Sequence, residues 1–248
     1  MTFGKIGARK MMYEWKNPYV TDGLVAMWDA EWNVGGGKHE SAPMLWKDLS
    51  GNGLDMISNG EPNFGDNYMT STKVANLWHT DETSLADEIF TEGKFTFSIA
   101  VHMANISGGQ KLLMLGGGAL TNGICCVTNQ TTDGRYGGAI YVQGSGNVGA
   151  YSAIGRLGTI DAFCDGVTCG AYYTNFSGGT NGRTANISAL PIGYVSKRFT
   201  IGYRYTYTPD SPNIGGMQIF NIRVYSRALT SDELAANRVV DKRRFNIA

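Results

Sequence analysis

The sequence predicts an all-β fold, two antiparallel sheets packed as a jelly-roll sandwich, with one short C-terminal helix. Three observations predict it. Apolar and polar residues alternate with period 2 in many short runs, the signature of strands with one face turned to a core. Clusters of glycine and asparagine separate the runs, and 34 of the 248 residues are glycine, so turn residues that tolerate positive φ are abundant. No helical pattern intervenes between the runs, which argues against βαβ units and for antiparallel packing.

In chain order, residues 1–20 read as an N-terminal arm and residues 21–248 as one domain, a length that all-β sandwiches commonly reach. Pro18 punctuates the junction. Phe3, Ile6, Met11, Met12, Tyr13 and Trp15 give the arm six large apolar side chains with no period that would gather them on one face. They predict an assembly arm ordered by a partner. The expected strands are Leu24–Trp32, Phe95–Ala104, Lys111–Leu115, Ile124–Thr128, Ala139–Gln143, Gly170–Asn175, Arg198–Tyr205 and Met217–Ser226. Phe95, Phe97, Ile99 and Val101 share one face of their strand; Ile219, Asn221, Arg223 and Tyr225 oppose Phe220, Ile222 and Val224 on theirs. Both read as half-buried strands. Trp46 reads as a core residue ahead of the turn Ser50-Gly51-Asn52-Gly53, and Asn59-Gly60, Asp133-Gly134, Asn147, Gly178-Gly179 and Asn181-Gly182 read as further turns. Asp81-Glu82 and Asp87-Glu88 lie in an acidic stretch without alternation, which reads as a solvated loop.

The helix is the sharpest local signal. Thr230-Ser231-Asp232-Glu233 is a capping box, with the Thr230 hydroxyl at the N-cap and the Glu233 carboxylate at N3. Asp232 and Glu233 then lie at the positive end of the helix dipole, with Arg238, Lys242 and Arg243 toward its negative end. The expected span is Ser231 to Arg243.

Composition bounds the function. Twenty-one basic and 21 acidic residues give a formal net charge of zero, without the basic surplus that attracts nucleic acid or an anionic membrane. The longest apolar stretch, Leu112 to Leu120, falls short of the ~18 residues that span a bilayer. No apolar region follows the cations of the first residues, so no signal peptide is expected. Cys125, Cys126, Cys164 and Cys169 then read as buried thiols; the paired short spacing of a zinc ribbon is missing. His39, His79 and His102 are scattered, and the sequence has neither a His-Glu-x-x-His zinc motif nor a Gly-x-Ser-x-Gly elbow. Asp29 and Glu31 share a strand face opposite Trp28, Ala30 and Trp32, and read as structural or solvated carboxylates.

Three segments carry a family resemblance: Asp22-Gly-Leu-Val-Ala-Met-Trp-Asp-Ala-Glu31 leading to Trp46-Lys-Asp-Leu-Ser-Gly-Asn-Gly53; Phe95-Thr-Phe-Ser-Ile-Ala-Val-His102; and Phe199-Thr-Ile-Gly-Tyr203, followed by Ile219-Phe-Asn-Ile-Arg-Val-Tyr-Ser-Arg-Ala-Leu-Thr into the capped helix. The chain resembles the laminin-G-like jelly roll of the concanavalin A-like lectin/glucanase superfamily from about Thr21 to Ile247. The ending Val240-Asp-Lys-Arg-Arg-Phe245 is similar to copies carried by tailed phages and prophages. The resemblance implies a non-catalytic virion module, a head or tail fibre component assembled in the bacterial cytoplasm. Such a module contacts other virion proteins, associates with itself, or binds a bacterial surface glycan. The rivals are a glycoside hydrolase of the same superfamily and a cellular lectin-like protein. Glucanases of the superfamily place three carboxylates at alternating positions on one strand, an arrangement absent from this sequence, so no enzyme is expected. Many relatives hold calcium near the Asp-x-Ser-Gly-Asn-Gly turn and in the penultimate strand. Asp48 and Asn221 match those places, a weak set because calcium wants six to eight oxygens with formal charge among them, and no other cofactor is implied. For a sugar, which stacks on exposed rings, Tyr205 and Tyr207 are the expected contacts, lining a rim beside Thr208–Asn213 or simply capping the sandwich edge.

Overall fold

A computed structural model of the chain describes residues 17–32, 44–58, 63–70, 78–103, 110–115, 124–130, 136–142, 146–152, 157–176, 179–186, 196–201 and 217–245. The elements are β1 (Leu24–Asp29), β2 (Leu45–Trp46), β3 (Met56–Ser58), β4 (Asn63–Phe64), β5 (Met69–Thr70), β6 (Trp78–His79), α1 (Leu85–Glu92), β7 (Lys94–Met103) and β8 (Gln110–Leu115). They continue with β9 (Ile124–Gln130), β10 (Tyr136–Val142), β11 (Gly146–Ser152), β12 (Leu157–Asp165), β13 (Thr168–Asn175), β14 (Thr180–Asn186), β15 (Phe199–Ile201), β16 (Met217–Tyr225) and α2 (Ser231–Arg244).

The strands form two antiparallel sheets, as the alternation predicts. One runs β14-β13-β12-β7-β16, with the far edge of β16 shared between β1 and the β5-β4 pair; the other runs β11-β10-β9-β8-β15-β6-β3-β2. Phe95, Phe97, Ile99 and Val101 all enter the core between the sheets, as their shared face requires. They meet Trp46, Met56, Trp78, Leu113, Phe199 and Ile201 from the second sheet. Trp46 is fully buried, with ring centroids 5.5 Å from both Phe64 and Trp78 in edge-on contacts that suit the ring quadrupoles.

The other face of β7 and β16 is not solvated, contrary to the half-buried reading. Helix α2 lies over it, with Leu234, Asn237 and Asp241 buried beneath. A register break between Ile219 and Asn221 alters the parity of β16 as well. Simple alternation groups Ile219 with Asn221, Arg223 and Tyr225; the bulge returns Ile219 to the core beside Ile222 and Val224, and sends Phe220 to Ala100, Phe176 and Phe245. The capping box holds as predicted: Glu233 N donates to Thr230 Oγ1 at 3.3 Å, and Thr230 N to Glu233 Oε2 at 2.9 Å.

Three further expectations are corrected. Asp87 and Glu88 lie in the first turn of α1, not in a solvated loop, because Ala86 and Ile89, one helical turn apart, both enter the core. Asn181-Gly182 is strand, not turn, within β14. Cys164 and Cys169 are not free thiols: they are partners across β12 and β13, Cα atoms 4.1 Å apart, and are joined as a disulfide. Cys126 is buried in the core. The domain also begins earlier than the expected boundary at residue 21. Tyr19 is buried, its hydroxyl donating to Asp241 Oδ1 at 2.8 Å, and Val20 N donates to Asn237 Oδ1 at 2.9 Å. Both residues belong to the domain. Phe3, Ile6, Met11, Met12, Tyr13 and Trp15 lie outside the described residues, as do Tyr205, Tyr207 and His39. No helix among the described residues is long and apolar enough to cross a membrane.

Candidate functional site

Two concentrations of chemistry-bearing side chains stand out, one sealed and one open. The sealed one lies under α2. Asp241 of the helix receives Arg223 of β16 in a bidentate pair, Nη1 and Nη2 each 2.7 Å from an oxygen, and both side chains are fully buried. Arg223 Nη2 also donates to Ser98 Oγ at 3.0 Å, and the Tyr19 ring centroid lies 4.2 Å from its guanidinium. Asp29 of β1 accepts from Arg244 Nη1 at 2.6 Å and Nη2 at 3.0 Å, and from Asn221 Nδ2 at 2.7 Å. Asp161 of β12 accepts from Ser98 Oγ at 2.6 Å and Arg238 Nη1 at 2.9 Å.

Each buried carboxylate thus faces an arginine. Burial pushes the Asp161 carboxyl above the ordinary carboxylate range, against the opposing pull of Arg238 and Ser98. Burial works against the Arg223 and Arg244 charges, and Asp241 and Asp29 outweigh it, so both guanidinium pKa values are raised. Tyr19 is raised by burial first and by Asp241 next. With its charges matched and α2 as a lid, this cluster anchors the helix to the sheet. Asp29 is structural, one of the two readings given to it above.

Asp48 and Asn221 are not brought together. They lie on opposite sides of β1, Asp48 bridging Trp28 and Asn221 pairing with Asp29. The Asp48 carboxylate organises its own turn, accepting from Met27 N and Ser50 N at 2.9 Å and from Leu54 N at 3.0 Å. Among the described residues no group of three or more His, Cys, Asp or Glu side chains is placed to hold a metal ion.

The open concentration is a cleft of about 300 Å³ lined by Leu45, Gly53, Leu54, Asp55, Ile57, Asp81, Glu82 and Thr83. Three stretches of chain meet there: β2 at Leu45, the turn running into β3 from Gly53 to Ile57, and Asp81–Thr83 between β6 and α1. Leu45 and Ile57 are cross-strand partners turned away from the core, 37% and 39% exposed, and form an aliphatic wall. The carboxylates are pre-positioned. Glu82 accepts from Ser196 Oγ at 2.9 Å, Lys197 N at 2.6 Å and Arg198 Nε at 3.2 Å. Asp55 accepts from Asp48 N at 2.9 Å and pairs with Lys47. Asp81 is exposed, and among the described residues its carboxylate has no hydrogen-bond partner. Sequence reading missed this site because no local motif joins its three segments.

No family model and no curated protein matches the chain. Solved structures do resemble it. One is the Trypanosoma rangeli sialidase in complex with sialic acid, with a TM-score of 0.59 and 15% identity over 88% of this chain and 33% of that one. Another is the binding domain of botulinum neurotoxin DC in complex with SialylT, with a TM-score of 0.60 and 10% identity over 91% of this chain and 52% of that one. The chain therefore spans about a third of the sialidase and about half of the toxin domain. At such identities the likeness is one of fold, that of an antiparallel β-sandwich. It also corrects the expectation that the chain is no enzyme, since sialidases are among these structural neighbours. That expectation rested on the lack of carboxylates alternating on one strand. Folding brings carboxylates together from separate loops, as Asp55, Asp81 and Glu82 show, and strand spacing is blind to that.

Proposed function

We propose that the chain recognises carbohydrate through the cleft between β2, β3 and the start of α1. The observation that carries this reading is the pairing of fixed carboxylate acceptors with an exposed aliphatic wall. A sugar offers hydroxyl donors along its edge and C–H groups on its face, and both find partners there. Support also comes from neighbours of the same fold whose structures hold sialic acid and SialylT. The occupant differs from theirs. Asp55 and Glu82 are balanced by Lys47 and Arg198, whereas Asp81 is left as a negative charge, so the cleft favours a neutral or amino sugar over an anionic one.

The test is calorimetric titration of the full chain with neutral, amino and sialylated oligosaccharides, repeated with Asp81→Ala. A charge-assisted hydrogen bond contributes about 1.5–3 kcal/mol, so removing it weakens binding roughly 10- to 100-fold. Equal affinity of parent and variant, or a preference for the sialylated sugars, overturns the reading.

The module serves, in this reading, a bacteriophage particle, through assembly contacts, self-association or attachment to a bacterial surface glycan. Support comes from the phage-like ending Val240–Phe245 and from the Cys164–Cys169 disulfide, which suits a protein working outside a reducing cytoplasm. Mass spectrometry of purified particles from a lysogen carrying the gene should find the chain; particles without it overturn this assignment.

A further inference from the structure

We propose that the outer face of β12, β13 and β14 is a second carbohydrate site, an aromatic platform of Phe163 and Tyr172 that takes the flat apolar face of a neutral pyranose chain. The proposal rests on the carbohydrate reading and adds a site on the opposite sheet. The two rings are stacked, centroids 5.3 Å apart and planes within 11°, and both are partly exposed. They face away from the core, because Ala162, Cys164, Ala171 and Tyr173, their neighbours in the chain, face into it.

Two glycines let these rings lie close against the next strand. Gly170 is the cross-strand partner of Phe163, and a Cβ there would fall 2.6 Å from the Phe163 ring. Gly182 is the partner of Tyr172, and a Cβ there would fall 2.1 Å from that ring. Any other residue would tip the rings outward. Glycine inside a strand weakens it and marks a place of close approach, here that of the rings themselves. Tyr172 also packs against the cluster of Tyr225, Leu229 and Leu234, so its ring is held before a ligand arrives.

The β14 side of the platform is rich in hydroxyls, and the exposed Asp165, two residues on from Phe163, is committed to the Val167 and Thr168 N–H groups. All seven residues of β14 are exposed, so core packing does not account for the strand. Thr174 and Thr180 hydroxyls lie 3.1 Å apart, and Thr184 is level with Phe163 across Gly170. Asp161, in register with Tyr172, is fully buried and committed to Ser98 and Arg238. Arg183 is the partner of Ala171 and so lies on the other parity. A ring platform fringed by neutral hydroxyls matches a neutral sugar, with stacking below and hydrogen bonds at the rim.

The test titrates the full chain with neutral hexaoses of glucose, xylose, mannose and N-acetylglucosamine, using calorimetry for affinity and stoichiometry. The parent should bind at least one of them at two sites. Tyr172→Ala and Phe163→Ala should each remove one site or weaken it tenfold or more, while Tyr172→Phe, which keeps the ring, retains it. Gly182→Val, which keeps both rings but displaces Tyr172, should also lose it. Binding that survives Tyr172→Ala and Gly182→Val but is lost in Asp81→Ala overturns the platform and leaves the cleft; the reverse supports the platform and removes the cleft. Failure of the parent to bind any hexaose overturns both. A dimer in sedimentation that Tyr172→Ala dissolves, with sugar binding unchanged, makes the face a contact between copies and overturns the proposal.

Discussion

Replacing Asp241 by alanine removes the carboxylate that neutralises Arg223 and leaves a guanidinium stranded under α2. Both side chains are fully buried and joined by two 2.7 Å hydrogen bonds, so the loss is that of one partner of a sealed ion pair, about 3–5 kcal/mol. In a domain of this size 1 kcal/mol moves the melting temperature by about 2–4 °C, which gives a drop of roughly 6–20 °C. Calorimetry or near-ultraviolet circular dichroism reads it. The sharper arm is the double variant Arg223→Met with Asp241→Leu, which exchanges the pair for apolar volume and should recover most of the loss. Recovery stops short of complete, because the Tyr19 hydroxyl loses Asp241 as its acceptor, a residual cost of about 1–3 kcal/mol. A single variant that melts with the parent would mean that the pair is not sealed from water. A double variant as unstable as the two single losses added together would mean that the charges themselves hold the helix, and would refute the reasoning.

Thr230→Ala removes the acceptor for Glu233 N and should cost about 0.5–2 kcal/mol, or roughly 1–8 °C in melting temperature; an unchanged melt would show that packing alone fixes the helix start. The Glu233 carboxyl is held down to about 2, first by its hydrogen bond with Arg227 and then by the Thr230 N–H. Because its folded pKa is depressed, its contribution to stability is present above the ordinary glutamate range and is lost as pH falls toward 2, so Glu233→Gln should flatten the acid limb of a stability–pH curve. An acid limb identical to the parent's would contradict this. Reducing the Cys164–Cys169 bridge, which closes a loop with a sequence separation of only 5, should lower stability by about 2 kcal/mol, and a peptide map should show the two cysteines in one oxidised peptide. Free alkylation of both in the unreduced protein would contradict the bridge.

What could be read from the sequence was whatever depends on near neighbours. The alternation Phe95, Phe97, Ile99, Val101 and the capping box at Thr230 state their own geometry, and both reappear in the fold. Features set by distant partners did not announce themselves. Asn221 and Arg223 look like the wet face of their strand until α2 is laid over them and matches Arg223 with Asp241. The bulge at Phe220 shows only in the pairing with β7, because nothing in Ile219-Phe-Asn-Ile222 breaks alternation locally. Helix α1 spans only eight residues and sets Ala86 and Ile89 in the main core with Leu85 packed against it, too short a run for a periodic pattern to show. Gly182 reads as a turn by composition, yet it is strand in register with Tyr172. Leu45, Ile57, Asp81 and Glu82 converge from separate segments, so only folding makes them a cleft.

The most direct test of carbohydrate recognition is a crystal of the full chain soaked with the oligosaccharide that titration shows to bind most tightly. The account predicts sugar density in the cleft, with hydroxyls on Asp81 and Glu82 and a pyranose face against Leu45 and Ile57. Density elsewhere on the molecule with this cleft empty, or no bound sugar at saturating concentration, would contradict it.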